Sequence, residues 1–432
     1  MMIVSISLMF FSAALLIATL PLILELLVLT IAASLPYGSA EAKEENEGAP
    51  LRLAVIVPAH NEAAQIGRCV HSILISEPES VEVLVVAHNC SDNTALEAER
   101  AGARLLVLND PSLNGKGCAL YHGFSMAQAE GFDAVLVIDA DSIVVSNLIQ
   151  AVRRRFISGA KVLQCRYEVY NADANRRTRL MSLAFVAFNV VRPRGRARLG
   201  LSAGIFGNGF GLHREVIEKV PFRAHSVVED LEYHLNLVRA SIRVEFLNAA
   251  TVLGEMPIGG KGASTQRSRW EGGRLRMVKG WALPLLWDVL RGRIRMLEPL
   301  LDLVGLPLAI EVSLLFVALC LPVHWLRLYA LAGFAVLAFH LFVAAVYGPG
   351  VKASGRILFT APGYIVWKLW MLPQIWKASR RDASWVRTDR DTPPAQPTSS
   401  TAGAAHSPHS QMPNSPTTTR IAAQRKLSDE VV

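Results

Sequence analysis

Two carboxylates that follow an apolar run are the residues of this chain best suited to chemistry. Asp139 and Asp141 end the stretch VLVIDAD, and their i, i+2 spacing places both side chains on one face of an extended chain. Two like charges this close repel each other unless a cation lies between them. Because Mg²⁺ is usually held by one or two carboxylates plus substrate phosphates, we predict a divalent metal site. A solvated loop after a strand is the alternative.

Further polar clusters follow other apolar or glycine-rich stretches. VIVPAHNE contains Pro58, His60, Asn61 and Glu62, AHNCSDNT contains His88, Asn89 and Asp92, and NGKG contains Lys116. Turn chemistry alone could explain the Asn, Asp and Ser content. A lysine between glycines is a flexible charge suited to a phosphate, although the P-loop spacing is missing.

Two later motifs combine charge with helical patterns. SVVEDLEYHL places Glu229 and Asp230 at the start of a helix, and TQRSRWEGGR contains Gln266, Arg269 and Trp270. First-turn acidic residues are also favoured by the helix dipole. A basic surface helix near lipid is the alternative interpretation of the second motif.

The chain from Leu51 onward alternates short apolar runs with segments of helical spacing. LRLAVIVPAHNE, VEVLVVAHNC, RLLVLND and DAVLVIDAD are predicted strands, separated by predicted helices. This order is typical of βαβ units, so we predict the α/β class with a mainly parallel sheet. Ligands of such sheets bind beyond the carboxyl ends of the strands, where the polar clusters fall.

The N-terminal residues form a long apolar stretch. Residues 2–35 contain a single charge, Glu25, and exceed the roughly 20 residues that cross a bilayer. A signal peptide is the competing interpretation, since GSA at 38–40 resembles a cleavage site. The apolar stretch is longer than the roughly 7–15 residues of a signal-peptide core, and no basic region precedes it. We therefore predict a retained transmembrane helix at 1–36, followed by a polar linker at 37–50.

The C-terminal third also has a membrane-like pattern. Residues 281–299 mix basic and apolar residues and predict an interfacial amphipathic helix. Residues 300–348 predict two transmembrane helices, at 300–322 and 326–348. Prolines and Gly363 interrupt the next apolar stretch, so 349–391 is interpreted as a re-entrant or interfacial segment followed by a basic cytosolic segment. Residues 392–432 are predicted to be a disordered tail.

Composition restricts the class of partner. The formal net charge is +8, and the basic residues occur in clumps such as RPRGRAR at 192–198, which suits an anionic cytoplasmic leaflet. No aromatic-interleaved basic motif supports nucleic-acid binding, so no nucleic-acid partner is expected. The five cysteines form no C-x-x-C pair, which favours a reducing compartment over a disulfide or zinc framework.

The ordered motifs P-A-H-N-E, N-C-S-D-N-T, G-K-G, D-A-D, E-D and Q-R-S-R-W resemble those of the family 2 glycosyltransferases. The resemblance runs from about Leu51 to Lys279. It points to the membrane-bound branch that includes the cellulose, chitin and hyaluronan synthases and ceramide glucosyltransferase. It implies the GT-A fold for residues 51–280.

The resemblance also implies site roles. Asp230 would be the catalytic base, and Asp139 and Asp141 would hold Mg²⁺ or Mn²⁺. Substrate contacts would come from Pro58, His60, Asn61, Glu62, Asp92, Lys116, Asp139, Glu229, Gln266, Arg269 and Trp270. The family usually carries a carboxylate at the position of His88, so the identity of the nucleotide is open.

The implied function is inverting transfer of a sugar from a nucleotide-diphosphate sugar, expected to be a UDP-sugar, to a hydroxyl acceptor in polysaccharide or surface-glycan synthesis. Transfer to a lipid acceptor and a non-catalytic scaffold that binds nucleotide sugars are the alternatives. We expect a multi-pass protein of the inner membrane, in contact with membrane lipids. Its catalytic domain would face the cytosol, where nucleotide sugars occur.

Overall fold

A computed structural model describes residues 2–36, 51–77, 81–113, 115–224 and 226–380. The predicted linker at 37–50, the basic segment that begins after residue 380 and the predicted disordered tail at 392–432 lie outside the described residues.

One eight-stranded sheet forms the centre of the catalytic part, with strand order β3-β2-β1-β4-β7-β6-β8-β5. The strands are β1 (Leu53–Ala59), β2 (Glu82–His88), β3 (Arg104–Leu108), β4 (Ala134–Val137), β5 (Ser142–Val144), β6 (Val162–Val169), β7 (Phe210–His213) and β8 (Glu245–Gly254). Strands β3, β2, β1 and β4 are parallel, as are β6 and β8, whereas β7 is antiparallel to both of its neighbours and β5 is antiparallel to β8. The predicted α/β class with a mainly parallel sheet is confirmed.

Sixteen α-helices surround or extend the sheet in the part of the chain that the structure describes. They are α1 (Met2–Ser34), α2 (Ile66–Ser76), α3 (Thr94–Arg100), α4 (Lys116–Ala129), α5 (Leu148–Ile157), α6 (Arg176–Val186), α7 (Arg192–Arg198), α8 (Arg214–Lys219), α9 (Glu229–Arg239), α10 (Gly260–Leu290), α11 (Leu297–Val304), α12 (Leu308–Cys320), α13 (His324–Tyr347), α14 (Val351–Leu358), α15 (Ala361–Trp370) and α16 (Leu372–Ala378). A π-helical turn, Ala187–Val191, joins α6 to α7.

Strand β1 shows how the apolar pattern builds two core layers. Successive side chains of a strand point to opposite faces of the sheet. Leu53, Val55 and Val57 pack in a cluster with α2 and α5, whereas Ala54 and Ile56 pack in a cluster with α4 and α9. All five are at most 1% exposed. Since fully burying such an aliphatic side chain contributes roughly 1.5–3 kcal/mol, the strand is buried on both faces as its continuous apolar sequence predicts.

The N-terminal helix is part of the same core. Ala33 of α1 and Val343 of α13 belong to the cluster that covers one face of the sheet. Helix α1 crosses α7 at close range, because Gly195 has no side chain to separate the backbones. The guanidinium Nε of Arg194 donates a 2.9 Å hydrogen bond to the carbonyl oxygen of Ala33. The basic stretch at 192–198 therefore faces α1 rather than a lipid surface.

The close approach of α1 and α7 can be tested by comparing alanine substitutions at Gly195, which lies at the crossing, and at Gly355, which does not. A Cβ at Gly195 would lie 2.2 Å from the carbonyl oxygen of Leu29, whereas a Cβ at the helical Gly355 would meet nothing within 4 Å. We expect Gly195→Ala to lower the free energy of unfolding by about 1–3 kcal/mol through overpacking. Gly355→Ala should raise it by roughly 0.5–1 kcal/mol through helix propensity. Thermal unfolding of the purified variants in detergent measures both, and equal effects would contradict this crossing.

Two predicted boundaries in the C-terminal third are wrong. Residues 281–290 are not the start of a separate interfacial helix but the end of α10, which ends before Gly292 at φ 88°. Residues 300–322 are not one helix either. Helices α11 and α12 meet at an angle of 82°, because Pro307 lacks a backbone N–H and disfavours helical geometry in the preceding residue.

Two helices of the described ranges are long and apolar enough to cross a membrane, which indicates membrane association. They are Ile6–Ser34 within α1 and the whole of α13, and the bent pair α11–α12 adds a third if it forms one span. Helices α14, α15 and α16 contain at most ten residues each, about 15 Å, which is half the thickness of a hydrocarbon core. The re-entrant or interfacial interpretation of residues 349–380 stays a prediction.

Candidate active site

The carboxyl ends of three adjacent parallel strands meet at one edge of the sheet. Pro58 lies near the end of β1, His88 ends β2, and Asp139 follows β4 by two residues. A cavity of about 890 Å³ opens at this edge. Eleven of the predicted site residues line it: Pro58, His60, Glu62, Lys116, Asp139, Asp141, Glu229, Asp230, Gln266, Arg269 and Trp270. Residues from across roughly 210 positions of the chain thus share one cavity, as strand-end sites of this class do.

Lys116 connects Asp139, one of the two predicted metal ligands, to the backbone turn at Gly207. It is the first residue of α4, and its ammonium group forms an ion pair with Asp139. The same Nζ donates a 2.5 Å hydrogen bond to the carbonyl oxygen of Gly207. The ammonium group of Lys116 therefore places a positive charge at the point where the predicted metal and diphosphate would lie.

The buried Asn208 orients the backbone of Asp139. Its Oδ1 accepts a 3.1 Å hydrogen bond from the Asp139 N–H, and its Nδ2 donates to Ser142 Oγ at 2.8 Å. The Ser142 N–H in turn donates to the Asp139 carbonyl oxygen at 3.0 Å. Sequence reasoning missed Asn208. Its signal is the motif G-N-G at 207–209, where both glycines adopt positive φ, 75° and 71°.

Asp230 and Glu229 lie in the first turn of α9, and Asp230 faces the backbone turn at Gly207. A Cβ built on Gly207 would be 3.1 Å from Asp230 Oδ2 and 3.6 Å from Lys116 Nζ. The backbone N–H of Leu231 donates a 2.8 Å hydrogen bond to Asp230 Oδ1. A side chain at Gly207 would crowd Asp230 Oδ2, so the glycine gives the Asp230 carboxylate room beside Lys116.

The surroundings raise the pKa values of Glu229, Asp230 and Lys116. Burial, followed by the charge of Asp230, raises the pKa of Glu229 to about 7, although Lys116 opposes this shift. Burial also raises the pKa of Asp230, against the Leu231 N–H and Lys116. Burial lowers the pKa of Lys116, but the charges of Asp139 and Glu229 outweigh it, so its pKa rises and it remains a cation. Carboxylates with raised pKa values in a cleft are typical of general acid–base sites.

The donor set of Asp139 and Asp141 fits a hard divalent cation. Both carboxylates line the cavity beside Lys116. In the described ranges no group of three or more His, Cys, Asp or Glu side chains is placed to hold a metal ion by itself. Mg²⁺ and Mn²⁺ accept oxygen ligands from carboxylates and from substrate phosphates, so two protein ligands are sufficient when a diphosphate completes the shell.

Helix α10 contributes the far wall of the cavity with Gln266, Arg269 and Trp270. The Trp270 ring packs against Phe185 at a centroid distance of 6.0 Å, and the Arg267 guanidinium lies 5.5 Å from the Trp270 ring centre. These contacts fix the indole between α10 and α6, in the wall of the cavity that Gln266 and Arg269 also line.

Asn61 and Asp92 are not among the residues that line the cavity. Asn61 Oδ1 accepts a 2.7 Å hydrogen bond from the Ser91 N–H, and Asp92 Oδ2 accepts a 3.1 Å hydrogen bond from the Ala63 N–H. Both side chains connect the loop after β1 to the loop after β2. Their predicted substrate contacts stay predictions, and their observed contacts position these loops.

His88 replaces the carboxylate that the resemblance predicts at this position. Its side chain is buried, and Nε2 lies 2.9 Å from the carbonyl oxygen of Leu113, to which it must donate. Burial lowers the pKa of His88, so the ring is neutral at neutral pH. The nucleotide would meet an uncharged ring in this wall of the cavity.

A cluster of five charged residues, three of them buried and two partly buried, lies where α1 meets the rest of the chain. Glu25 forms ion pairs with Arg192 and Arg196, and the same two arginines pair with Asp302 at 2.6 and 3.1 Å. Glu298 completes this ion cluster by pairing with Arg196. Sequence reasoning noted Glu25 and the basic stretch separately but did not pair them, although a lone carboxylate in an apolar helix is a signal for a partner.

Comparison with known proteins gives consistent results. Residues 50–273, just over half of the chain, match the family model "Glycosyltransferase like family 2". The probable glycosyltransferase YdaM of Bacillus subtilis (strain 168) is 28% identical over 240 residues, which cover 52% of this chain and 56% of that protein. This chain thus matches only about half the length of that relative.

A solved structure shares the fold over a longer range. Mannosyltransferase PcManGT from Pyrobaculum calidifontis, in complex with GDP-Man and Mn²⁺, aligns with 86% of this chain and 97% of its own chain at a TM-score of 0.50 and 17% identity. At this identity the likeness concerns the fold. The family match, the strand-end site and the shared fold lead to one conclusion: this chain belongs to the family 2 glycosyltransferases and has the GT-A fold.

Proposed function

We propose that this chain is a membrane-bound, inverting glycosyltransferase. It transfers a sugar from a UDP-sugar to a hydroxyl acceptor in the assembly of a polysaccharide or surface glycan. The convergence of Asp139, Asp141 and Lys116 with Asp230 around Gly207 supports this proposal most directly. This arrangement combines a lysine and two carboxylates that suit a metal-bound diphosphate with a further carboxylate for the acceptor.

Lys116 and Asp230 have different roles in the proposed reaction. Lys116 attracts the donor diphosphate, and Asp230 accepts the proton of the acceptor hydroxyl as its oxygen attacks the anomeric carbon. The bond from that carbon to the diphosphate oxygen breaks, and the electron pair leaves with the nucleoside diphosphate. When bound at Asp139 and Asp141, Mg²⁺ or Mn²⁺ would stabilise the leaving diphosphate as a Lewis acid. Attack opposite the leaving group inverts the anomeric configuration.

The orientation follows from the position of the donor. Nucleotide sugars are cytosolic, so the catalytic part would face the cytosol and α1 and α13 would cross the inner membrane. Exposed aromatic side chains support a membrane surface nearby: Trp287, Trp370 and Trp376 are 55%, 84% and 57% exposed. Tryptophan is enriched at membrane–water interfaces.

Donor hydrolysis and transfer by the purified protein test the function. We expect activity with a UDP-sugar in a screen of UDP-, GDP- and dTDP-sugars, in the presence of Mg²⁺ or Mn²⁺. A scaffold that only binds nucleotide sugars would bind a donor without hydrolysis or transfer. Failure of every donor to react would therefore reject the enzyme in favour of the scaffold.

Removal of the cation should abolish transfer. We expect no activity in excess EDTA and recovery on addition of Mn²⁺. Asp141→Asn should weaken Mn²⁺ binding in the presence of UDP by at least the roughly 10- to 100-fold that loss of an outer-shell partner costs, because it removes a charged ligand. The electron paramagnetic resonance signal of free Mn²⁺ measures this affinity, with the exposed Asp173→Asn as the control. Full activity in EDTA would remove the metal role from Asp139 and Asp141.

The pH profile of transfer should have an acidic limb near neutrality. A carboxylic acid can accept a proton only after it ionises, and a raised pKa moves that ionisation to higher pH. Burial raises the pKa of the proposed base Asp230 and raises the pKa of the adjoining Glu229 to about 7, so transfer should begin to fall at a higher pH than an ordinary aspartic acid would require. Initial rates from pH 5 to 9 at saturating donor measure the limb. A rate that is constant down to pH 5 would contradict the raised pKa values.

A further inference from the structure

The cavity extends beyond the catalytic carboxylates and reaches the helices that are candidates to cross the membrane. Past Asp230 its walls include apolar side chains of α1, of α11 and α12, and of the junction between the last two: Leu22, Leu26, Leu303, Leu306, Leu308 and Ala309. The charged side chains of Arg192, Arg196, Arg274 and Asp302 line the same cavity. One continuous space therefore connects the proposed base with helices that have the composition of membrane spans.

The 82° bend between α11 and α12 contributes directly to this apolar end. Leu306, Pro307 and Leu308 form the junction and line the cavity. Leu22 and Leu26 of α1 pack in one cluster with Leu315 of α12, and Leu308 packs against this cluster. The outward faces of both helices remain apolar, with Leu24 49% and Phe316 60% exposed. The apolar end of the cavity therefore lies on the inner side of helices whose other side suits lipid.

The chemistry of this wall distinguishes between acceptor classes. Leucine and alanine side chains offer no hydrogen-bond partner, so a sugar chain lying there would lose the hydrogen bonds that its hydroxyls make with water. An alkyl chain gains from the same contact. Arg192 and Asp302, which form an ion pair, also line the cavity. This charged part of the wall suits the polar head of a lipid.

Resting on the proposed function, we propose that the immediate acceptor is a membrane lipid with a free hydroxyl on its head. Its hydroxyl reaches Asp230, its polar head lies beside the charged side chains of the cavity wall, and its alkyl chain lies against α1 and the α11–α12 junction. The lipid hydroxyl loses its proton to Asp230 and forms the new bond to the anomeric carbon, and the nucleoside diphosphate leaves. The product is a glycolipid, on which a surface glycan can be built by later transfers.

Product partition in membranes that contain the full chain tests the acceptor class. The membranes are incubated with the radioactive donor that the hydrolysis screen identifies, and then extracted with organic solvent. We expect the label in the organic phase, at a level at least tenfold above that of membranes containing Asp230→Asn. Label confined to ethanol-insoluble polymer would overturn the proposal, as would donor hydrolysis without organic-phase label. Absence of both hydrolysis and transfer would instead reject the proposed function.

Two pairs of variants test the position of the alkyl chain. Leu22→Trp fills the cavity end, whereas Leu24→Trp places the same side chain on the exposed face of α1. Leu308→Trp and Phe316→Trp form the corresponding pair on α12. We expect Leu22→Trp and Leu308→Trp to lower glycolipid formation by about tenfold or more, since each displaced CH₂ group is worth roughly fourfold in affinity.

Donor hydrolysis shows that each variant is folded. It should stay within twofold of the parent in all four variants, because none of the four side chains contacts the donor end of the cavity. Glycolipid formation that falls equally in both members of each pair would overturn the assignment of this wall to the lipid chain.

Discussion

Replacing Asp230 with Asn should lower sugar transfer by about 10²–10⁴-fold while donor binding stays intact, because the amide keeps the shape of the carboxylate but cannot accept the acceptor proton. The amide oxygen can still accept the Leu231 N–H, so the first turn of α9 should keep its geometry. Initial transfer rates and donor affinity, measured on the same preparation, separate the two effects.

A control for this substitution is available in the same helical turn. Glu232 lies on the same helix and does not line the cavity, and its Oε2 accepts a 3.1 Å hydrogen bond from the Ser226 N–H. A Gln oxygen accepts the same bond, so Glu232→Gln should retain transfer. If Asp230→Asn retained the parent rate, the base would have to be another carboxylate, and Glu229→Gln would be the next variant to measure.

Glu25→Leu should lower the free energy of unfolding by about 3–5 kcal/mol, because it removes one of the two carboxylates that the buried Arg192 and Arg196 share. The side chains of Glu25, Arg192 and Arg196 are only 3%, 4% and 2% exposed, so water cannot replace the lost partner without local opening. Thermal unfolding in detergent measures the effect.

Glu311 provides a control with the opposite expectation. Its side chain is fully buried on α12, and neither carboxylate oxygen has a hydrogen-bond partner among the described residues. Removing an unpaired buried polar group is neutral or stabilising, so Glu311→Leu should not lower the free energy of unfolding.

A double-mutant cycle of Glu25→Leu with Arg192→Leu should show a loss smaller than the sum of the two single losses. Strict additivity would contradict the observed ion pair.

The strand-end motifs were predictable because they depend on local sequence. β1, β2 and β4 are apolar runs, and Pro58, His88 and Asp139 lie where each run ends. Since parallel strands bring their carboxyl ends to one edge, local patterning was sufficient to predict that these residues share a site. The roles of Asn61 and Asp92 were not predictable in this way, because the direction of a loop side chain depends on which neighbouring backbone groups it meets.

The sequence alone determined the α/β class, the family and most of the residues at the site, since hydrophobic period and short motifs are properties of neighbouring residues. Only the tertiary structure decided how Asp230 comes close to Lys116, because Gly207, in the turn before the antiparallel strand β7, leaves room for its carboxylate. Only the tertiary structure also buried Arg192 and Arg196 of α7, since their partner Glu25 lies about 170 residues earlier in the chain. A charged side chain is buried or exposed according to its distant partners, and no local pattern contains that information.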